Sequence, residues 1–299
     1  MSLLSATTEA NGLTFTYLHT PEMADSSRPL ALCAHGFPDT AWTYRHLLPE
    51  LAAAGFRPVA HFQRGYAPTQ VPADGRYQTG VLGSDVNALH QVLGGDERAV
   101  LVGHDWGAPT VYGAANSEPS RWAKVVGMAV PPGGVMARAF MDIRQIKRSW
   151  YMFFFQHGLA DILVGAHDHA FIDMLWEDWS PGYDASADLR YVKDALHDPA
   201  NLAAALGYYR ASLGAGFRDP ADAQRQVLTR APIAQSMLYL HGAVDGCIGP
   251  EYVPDVASSM PHPASRVEVV AGAGHFLQLE KPEVVNRLIV DFLSASAQW

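Results

Sequence analysis

An aspartate between two glycines is the part of this sequence with the clearest chemical meaning. The pentapeptide Gly-His-Asp-Trp-Gly, residues 103–107, follows directly on the apolar run 99–102. Its glycines predict a sharp strand-to-helix turn that raises the Asp105 side chain above the end of a sheet. A carboxylate is already ionised at neutral pH. Its attack on an ester or amide would give a high-energy anhydride, whereas its attack on a saturated carbon gives an ester that water can hydrolyse. The pentapeptide therefore predicts displacement at an alkyl carbon; the alternative is a helix N-cap aspartate without chemistry.

A loop near the N-terminus supplies donors for a developing negative charge. The segment His-Gly-Phe-Pro-Asp, residues 35–39, follows the apolar run 30–34. Such a loop can direct the Phe37 backbone N–H toward the same point as the Trp106 N–H, and two donors of this kind form an oxyanion hole. The alternative is an ordinary glycine-proline turn.

A histidine and a second aspartate complete a set of three. His275 lies in a glycine-rich loop after the run 267–270, and Asp245 follows the run 237–240. The chain order nucleophile, acid, histidine is one of the established orders of a catalytic triad. The loop after Val130, another place for the acid, carries no carboxylate. Asp245 is therefore predicted to orient His275, with a turn aspartate before glycine as the alternative.

The elements that must position these residues alternate between strands and helices. Helices are predicted at 41–54, 81–93 and 108–116, and from Pro282 onward. Continuously apolar central strands indicate a parallel sheet covered on both faces, and the alternation predicts an α/β fold with right-handed crossovers. The predicted strands are 13–18, 30–34, 58–62, 99–102, 124–130, 237–240 and 267–270.

The alternation stops between two proline-marked boundaries. Residues 131–232 contain helical periodicities, at 170–179, 187–196 and 200–213, and no convincing strand. This segment is predicted to be an all-helical lid inserted into a core domain formed by 1–130 and 233–299. A helical second domain without a part in the chemistry is the alternative. Ligands of such sheets bind at the carboxyl ends of the strands, which favours the lid.

Composition excludes several classes of function. The 299 residues carry a formal charge of −9 and no dense cluster of Lys and Arg, which argues against nucleic acid and anionic membrane surfaces. The two cysteines, Cys33 and Cys247, lack a metal-ligand spacing and do not indicate a disulfide framework. The densest apolar cluster, residues 151–155, is too short to span a bilayer, and no secretory signal is recognisable. We therefore expect a cytoplasmic protein.

Four segments together resemble one enzyme family. The segments HGFPD, GHDWG and GHFLQLEKP, together with Asp245, resemble the epoxide hydrolases of the α/β-hydrolase superfamily, in the branch whose nucleophile is an aspartate. The resemblance implies an α/β-hydrolase fold: a mostly parallel sheet flanked by helices, with an inserted all-helical lid. That family uses two lid tyrosines, which match Tyr151, in the string SWYMFFFQ, and Tyr209, for which the neighbouring Tyr208 is a competitor.

The resemblance also implies a mechanism. Asp105 attacks an epoxide carbon while Tyr151 and Tyr209 hydrogen-bond to the epoxide oxygen, because a ring-opened alkoxide is a strong base that needs an acid. His275, oriented by Asp245, then activates the water that hydrolyses the ester. His104 is expected to structure the turn, and no metal or organic cofactor is required. The expected partners are a small apolar epoxide and water, and a homodimer is left open. Residues expected to contact the substrate are Phe37, Trp106, Trp150, Phe154 and Phe276.

Two other functions remain open at this point. A haloalkane dehalogenase would use the same three residues, with Trp106 and a lid tryptophan as halide donors; Trp150, Trp176 and Trp179 are the candidates. An α-halo acid substrate is disfavoured, because Trp106 and Pro109 stand where that subgroup carries arginines. A non-catalytic protein that binds a ligand under the lid is the more distant alternative.

Overall fold

One eight-stranded sheet forms the centre of the structure, a computed structural model that describes residues 3–214 and 216–295. The strands are β1 Leu4–Ala10, β2 Leu13–His19, β3 Leu30–Ala34, β4 Arg57–His61, β5 Val100–His104, β6 Lys124–Met128, β7 Ser236–Gly242 and β8 Arg266–Val270. Their order across the sheet is β1-β2-β4-β3-β5-β6-β7-β8. Strand β2 pairs antiparallel with β1 and with β4, and the other five pairs are parallel. The predicted α/β class with a mostly parallel sheet is confirmed.

Helices surround this sheet, on its two faces and at the carboxyl ends of its strands. They are α1 Leu47–Ala53, α2 Thr79–Val92, α3 Gly107–Ser117, α4 Gly133–Ala139, α5 Ile143–Arg148, α6 Trp150–Phe154, α7 Ala160–Leu163, α8 Ala166–Trp179, α9 Ser186–Leu196, α10 Pro199–Leu213, α11 Ala223–Leu228, α12 Leu277–Glu280 and α13 Pro282–Ser294. Helices α2 and α3 bury one face, and α1 and α13 bury the other. Neighbouring residues of β5 therefore enter different cores: Leu101 packs toward α2 and α3, whereas Val100 and Val102 pack toward α1 and α13. Burial on both faces explains the continuous apolar runs.

Two local expectations were wrong. Strand β1 was not predicted, because its sequence Leu-Ser-Ala-Thr-Thr-Glu-Ala is mostly polar; it is an edge strand whose side chains are largely exposed. The single helix predicted over 41–54 is a 3₁₀ segment, Ala41–Tyr44, followed by α1. Proline is tolerated only in the first turn of a helix, and Pro49 therefore restricts α1 to a start at Leu47.

The region that faces the carboxyl ends of the strands is helical. Between Met128, the end of β6, and Ser236, the start of β7, the described residues form helices and no strand. An ion pair of 2.6 Å between Asp188 of α9 and Arg45 joins this region to the core. The division into a core of 1–130 and 233–299 and a lid of 131–232 stays a prediction. None of the described helices combines the length and hydropathy needed to cross a membrane.

Candidate active site

Asp105 occupies the turn between β5 and α3. Its φ of 50° lies in the left-handed region, which a non-glycine residue adopts only where the surroundings enforce it. The turn brings α3 so close to β3 that a Cβ on Gly107 would collide with the carbonyl oxygen of Ala34. A Cβ on Gly36 would collide with the Asp105 carboxyl group itself. The glycines of both motifs are therefore required by close approach.

The Asp105 carboxylate is held from two sides. The Phe37 N–H donates to Asp105 Oδ1 at 2.7 Å, and His275 Nε2 lies 3.4 Å from Oδ2. Only 4% of Asp105 is exposed. A backbone amide and a neighbouring imidazole thus fix the position of this buried carboxylate.

His275 is held between two carboxylates. Its Nδ1 lies 3.0 Å from Asp245 Oδ2, while Asp245 Oδ1 accepts hydrogen bonds from the N–H groups of Cys247 at 2.7 Å and Ile248 at 2.9 Å. Burial alone would lower the pKa of His275, but the neighbouring Asp245 and Asp105 carboxylates outweigh burial and raise this pKa to about 10. Burial opposes ionisation of Asp245, but its interaction with His275 is stronger and lowers its pKa.

His104, the histidine beside Asp105, has surroundings different from those of His275. His104 Nε2 lies 2.8 Å from the backbone carbonyl oxygen of His275, and the His275 N–H donates to the Trp179 carbonyl at 3.0 Å. Burial lowers the pKa of His104 to about 4, so its ring is neutral and donates this bond. His104 therefore anchors the backbone of the histidine loop, and its ring makes no hydrogen bond to Asp105.

The two amides expected to form the oxyanion hole differ in what they contact. Phe37 N–H already donates to the Asp105 carboxylate. Trp106 directly precedes α3, and amides at the start of a helix have no intrahelical acceptor. The Trp106 N–H is therefore available to an oxygen at this helix end, where the helix dipole also favours negative charge.

Tyr151 and Tyr209 lie together in the helical region. Their ring centroids are 5.7 Å apart, and the Tyr209 ring packs against Phe37 at 5.3 Å and Trp106 at 5.1 Å. The Tyr151 hydroxyl lies 3.4 Å from Cys247 Sγ, whereas the Tyr209 hydroxyl is buried without a hydrogen-bond partner among the described residues. Burial raises the pKa of both hydroxyls well above their usual range, so both remain protonated donors.

The competition between Tyr208 and Tyr209 has a geometric answer. The Tyr208 hydroxyl donates to the backbone carbonyl of Arg64 at 2.8 Å, and its ring stacks on Tyr77. Tyr208 is thus engaged in packing α10 onto the core. The Tyr208 ring also meets Trp106, at 5.9 Å, but Tyr209 packs against Phe37 as well, on the side of the nucleophile.

Some expected substrate contacts are not at this site. The Trp150 side chain is 42% exposed and packs on Phe154 and Phe171 at the surface of the helical region. Phe154 stacks on Phe171 and likewise does not contact Tyr151 or Tyr209 through its ring. Phe276 stacks on Trp176 at 3.5 Å behind His275. The expectation that Trp150, Phe154 and Phe276 line the site is corrected: they form its supporting layer.

Phe155 is the aromatic residue that the sequence reasoning missed. Its ring contacts Phe37 at 5.5 Å, Tyr151 at 5.5 Å and Tyr209 at 5.0 Å. Phe155 follows Tyr151 by four residues, and residues at this spacing lie on the same helix face. Phe154, three residues after Tyr151, is also on that face, so helical periodicity alone does not choose between Phe154 and Phe155.

A cavity of about 230 Å³ reaches Asp105 and Trp106. Its wall is mostly apolar and combines core residues such as Pro109 and Val130 with Met136 of α4 and Met152 of α6. Methionines adapt to the shape of an apolar ligand. The cavity therefore suits an apolar molecule with one end at the nucleophile.

The tryptophans expected of a halide site are engaged elsewhere. Trp176 Nε1 donates to the Pro38 carbonyl at 2.9 Å, and Trp150 lies at the surface. The Trp179 ring packs against Tyr151 at 4.9 Å and His275 at 5.1 Å, as part of the wall behind the base. This arrangement disfavours a two-tryptophan halide site.

One group of potential metal ligands occurs in the described part of the chain. Single atoms of Asp105, Cys247 and His275 lie within 4.8 Å of one another. Two of these residues are the candidate nucleophile and base, so a cation bound here would occupy the position that a substrate carbon needs.

Comparisons with known proteins agree with this fold. A family model described as alpha/beta hydrolase fold matches residues 29–282. The chain is 30% identical to epoxide hydrolase A of Mycobacterium tuberculosis, over 93% of this chain and 94% of that protein. The crystal structure of epoxide hydrolase A from Mycobacterium thermoresistibile is similar with a TM-score of 0.76 at 26% identity, covering 98% of both chains. The crystal structure of a Bacillus megaterium epoxide hydrolase in complex with an inhibitor is similar with a TM-score of 0.82 at 25% identity, covering 97% of this chain and 100% of that chain.

Proposed function

We propose a reaction sequence for a chain that belongs to the α/β-hydrolase fold family and, within it, to the epoxide hydrolases. The reaction is the addition of water to an epoxide to give a vicinal diol, through a covalent ester of Asp105. The observation that carries the proposal is the proximity of two kinds of group: the Tyr151 hydroxyl lies 3.4 Å from Cys247 Sγ, which lies within 4.8 Å of an Asp105 carboxylate oxygen. A buried carboxylate beside an imidazole lies on the core side, and two buried, protonated phenols lie on the lid side.

The first step forms the ester. An Asp105 oxygen attacks an epoxide carbon, the ring carbon–oxygen bond breaks, and its electron pair stays on the ring oxygen. Tyr151 and Tyr209 hydrogen-bond to that oxygen, and one phenol gives up its proton, so that an alcohol forms rather than a free alkoxide. The product is a hydroxyalkyl ester of Asp105 beside a tyrosinate.

The second step is prepared by the loss of the Asp105 charge. The Asp105 carboxylate helps to keep His275 protonated, so esterification lowers the pKa of His275. The imidazolium proton then passes to the tyrosinate, which leaves a neutral imidazole beside the ester. In this way the first step converts His275 into the base that the second step needs.

Hydrolysis of the ester restores the starting charges. Neutral His275 takes a proton from water, and the resulting hydroxide adds to the ester carbonyl of Asp105. The Phe37 and Trp106 N–H groups stabilise the oxyanion, and Asp245 stabilises the imidazolium. The departing alkoxide takes the proton from His275. The new Asp105 carboxylic acid then passes its proton to His275, which regenerates the ion pair.

The proposal extends to substrate and location. The apolar cavity wall supports a small apolar epoxide, with water as co-substrate. Two buried free thiols, Cys33 and Cys247, support a reducing compartment such as the cytoplasm. A homodimer is left open.

Oxygen labelling in a single turnover tests the ester. Enzyme in excess over styrene oxide is allowed to react once in heavy-oxygen water, and the diol and a peptide digest are analysed by mass spectrometry. We expect label in the Asp105 carboxylate and little in the first-turnover diol. Label in that diol would exclude the ester. A halogenated alkane is the matched control, because halide release without diol formation from the epoxide would favour the dehalogenase.

A further inference from the structure

Cys247 is a buried thiol of the site that the reaction sequence does not use. Its Sγ lies 3.4 Å from the Tyr151 hydroxyl, the one hydrogen-bond contact of that hydroxyl within the described part of the chain. It also lies within 4.8 Å of ligand atoms of Asp105 and His275. The other cysteine, Cys33, lies in β3 within the core cluster of α1 and α13.

The backbone of Cys247 is fixed on both sides, which fixes the thiol. Its N–H donates to Asp245 Oδ1 at 2.7 Å, and its carbonyl accepts from Gln145 Nε2 at 2.8 Å. Gln145 is fully buried in α5, and its Oε1 accepts from the Gly249 N–H at 3.0 Å. These hydrogen bonds join α5 to the loop that carries Asp245, and α5 leads directly into α6, the helix of Tyr151.

The chemistry of the substrate decides which group must donate. An epoxide oxygen carries no hydrogen, so a Tyr151 hydroxyl that bonds to it must be the donor. The phenol oxygen then has a lone pair free toward Cys247 Sγ, and the S–H is a weak donor. When Tyr151 gives up its proton, that oxygen becomes an anion, and hydrogen bonds to charged groups are stronger than those to neutral groups.

We propose that Cys247 is a positioning residue for ring opening, because its S–H donates to the Tyr151 oxygen, directs the Tyr151 proton at the epoxide and stabilises the tyrosinate. The Tyr209 hydroxyl has no thiol beside it: it lies next to the Trp106 ring and makes no hydrogen bond of normal geometry among the described residues. The two phenols are therefore unequal: Tyr151 transfers the proton, and Tyr209 contributes a hydrogen bond. This inference rests on the proposed function.

Rapid-quench kinetics separates the two chemical steps and so tests the proposal. Intact-protein mass spectrometry follows the rise and decay of the ester after mixing with styrene oxide. In Cys247→Ala we expect ester formation to slow about tenfold, the order of one lost hydrogen bond, and ester hydrolysis to change less than about twofold. Cys247→Ser should restore ester formation to within about threefold, because a hydroxyl also donates. Cys33→Ala is the matched control and should change neither rate.

A double-mutant cycle distinguishes positioning from simple support of the fold. In a Tyr151→Phe background, Cys247→Ala should cause no further slowing of ester formation, because the acceptor is gone. Additive losses, or equal slowing of both steps, would overturn the proposal. If Cys247→Ala does not fold, the larger Cys247→Val, which also lacks a donor, replaces it in every comparison. If wild-type enzyme forms no ester, the proposed function fails; if the ester forms and the Cys247 variants match wild type, only this inference fails.

Discussion

The core side of the site and its lid side, meaning here the helical region that carries Tyr151 and Tyr209, hold their groups by different means. On the core side, charged side chains are held by hydrogen bonds at the carboxyl ends of strands: Phe37 N–H on Asp105, and two backbone N–H groups on Asp245. On the lid side, Tyr151 and Tyr209 are held by edge-to-face packing among rings, and within the described part of the chain only the Tyr151 hydroxyl has a hydrogen-bond contact.

The difference follows from what each group does. A buried charge without partners costs several kcal/mol, so the carboxylates need fixed donors before any substrate arrives. A neutral phenol costs less to bury, and a phenol already saturated with partners would have to break a bond to reach an epoxide oxygen. The carboxylates on the core side are therefore hydrogen-bonded before substrate binds, whereas the phenols on the lid side remain free to donate to the epoxide oxygen.

Removing the nucleophile should have the largest effect. Asp105→Ala deletes the atom that forms the ester, and we expect the rate of diol formation to fall by about 10⁴-fold or more. The measurement is steady-state diol production, with thermal unfolding as a check on the fold. Residual activity within about tenfold of wild type would contradict a nucleophilic role for Asp105.

Removing the base should stop the reaction after its first step. His275→Gln cannot accept a proton from water, so ester hydrolysis should slow by about 10³-fold and the ester should accumulate. Intact-protein mass spectrometry should then show the mass of one substrate added to the chain. An unmodified mass after exposure to substrate would argue against this role.

On the lid side, three neighbouring tyrosines provide a graded test. Tyr151→Phe and Tyr209→Phe remove donors to the epoxide oxygen, and each should slow ester formation by about 100-fold, with the larger loss at Tyr151. Tyr208→Phe is the matched control, because its hydroxyl bonds to the Arg64 carbonyl instead, and it should stay within about twofold of wild type. The measurement is the rate of ester formation; equal losses at Tyr208 and Tyr209 would refute the assignment of the second donor.

Stability should depend on pH in two opposite ways. Burial lowers the pKa of His35 to about 3 and of His61 and His104 to about 4. Below pH 6.5 the unfolded chain therefore binds more protons than the folded one, and the free energy of unfolding should fall by up to about 1.4 kcal/mol per pH unit for each histidine. The raised pKa of His275 acts in the other direction: its contribution is complete below pH 6.5 and is lost as the pH rises to about 10.

Urea unfolding between pH 4.5 and 9.5 measures both effects. In His275→Gln the free energy of unfolding should fall less steeply toward alkaline pH, and its fall toward acid pH should be unchanged. If the wild-type free energy of unfolding does not fall between pH 6.5 and 4.5, the prediction for the three buried histidines is wrong. An unchanged alkaline decline in the variant would mean that other groups cause it.

The smallest effect concerns the aromatic wall. Phe155 contacts both phenols, so Phe155→Leu should raise KM and slow ester formation by about tenfold through a looser lid side. Trp150→Leu changes an aromatic residue on the surface and should alter KM by less than about twofold. Diol assays over a range of substrate concentrations compare them, and a larger effect at Trp150 would reverse this correction.

Much of the core could be predicted because its signals are local. The glycines around Asp105 and at position 36 are required by close backbone approach, and His275 and Asp245 each follow an apolar strand. Local sequence was less informative in the helical region. Which side chains reach the site there depends on which helix face meets the core. Trp150, Phe154 and Phe155 all lie within one short aromatic string, so residue type does not distinguish them.

The sequence by itself determined the sheet, the sharp turn at Asp105 and the order of nucleophile, acid and base, because strand burial and glycine requirements leave direct traces in residue type. Only the tertiary structure decided that Tyr209 rather than Tyr208 faces the nucleophile, that Phe155 rather than Phe154 lines the wall, and that Cys247 contacts Tyr151. These choices depend on the rotation of packed helices. A rotation of one residue, about 100° on a helix, exchanges one aromatic side chain for its neighbour and leaves the composition unchanged.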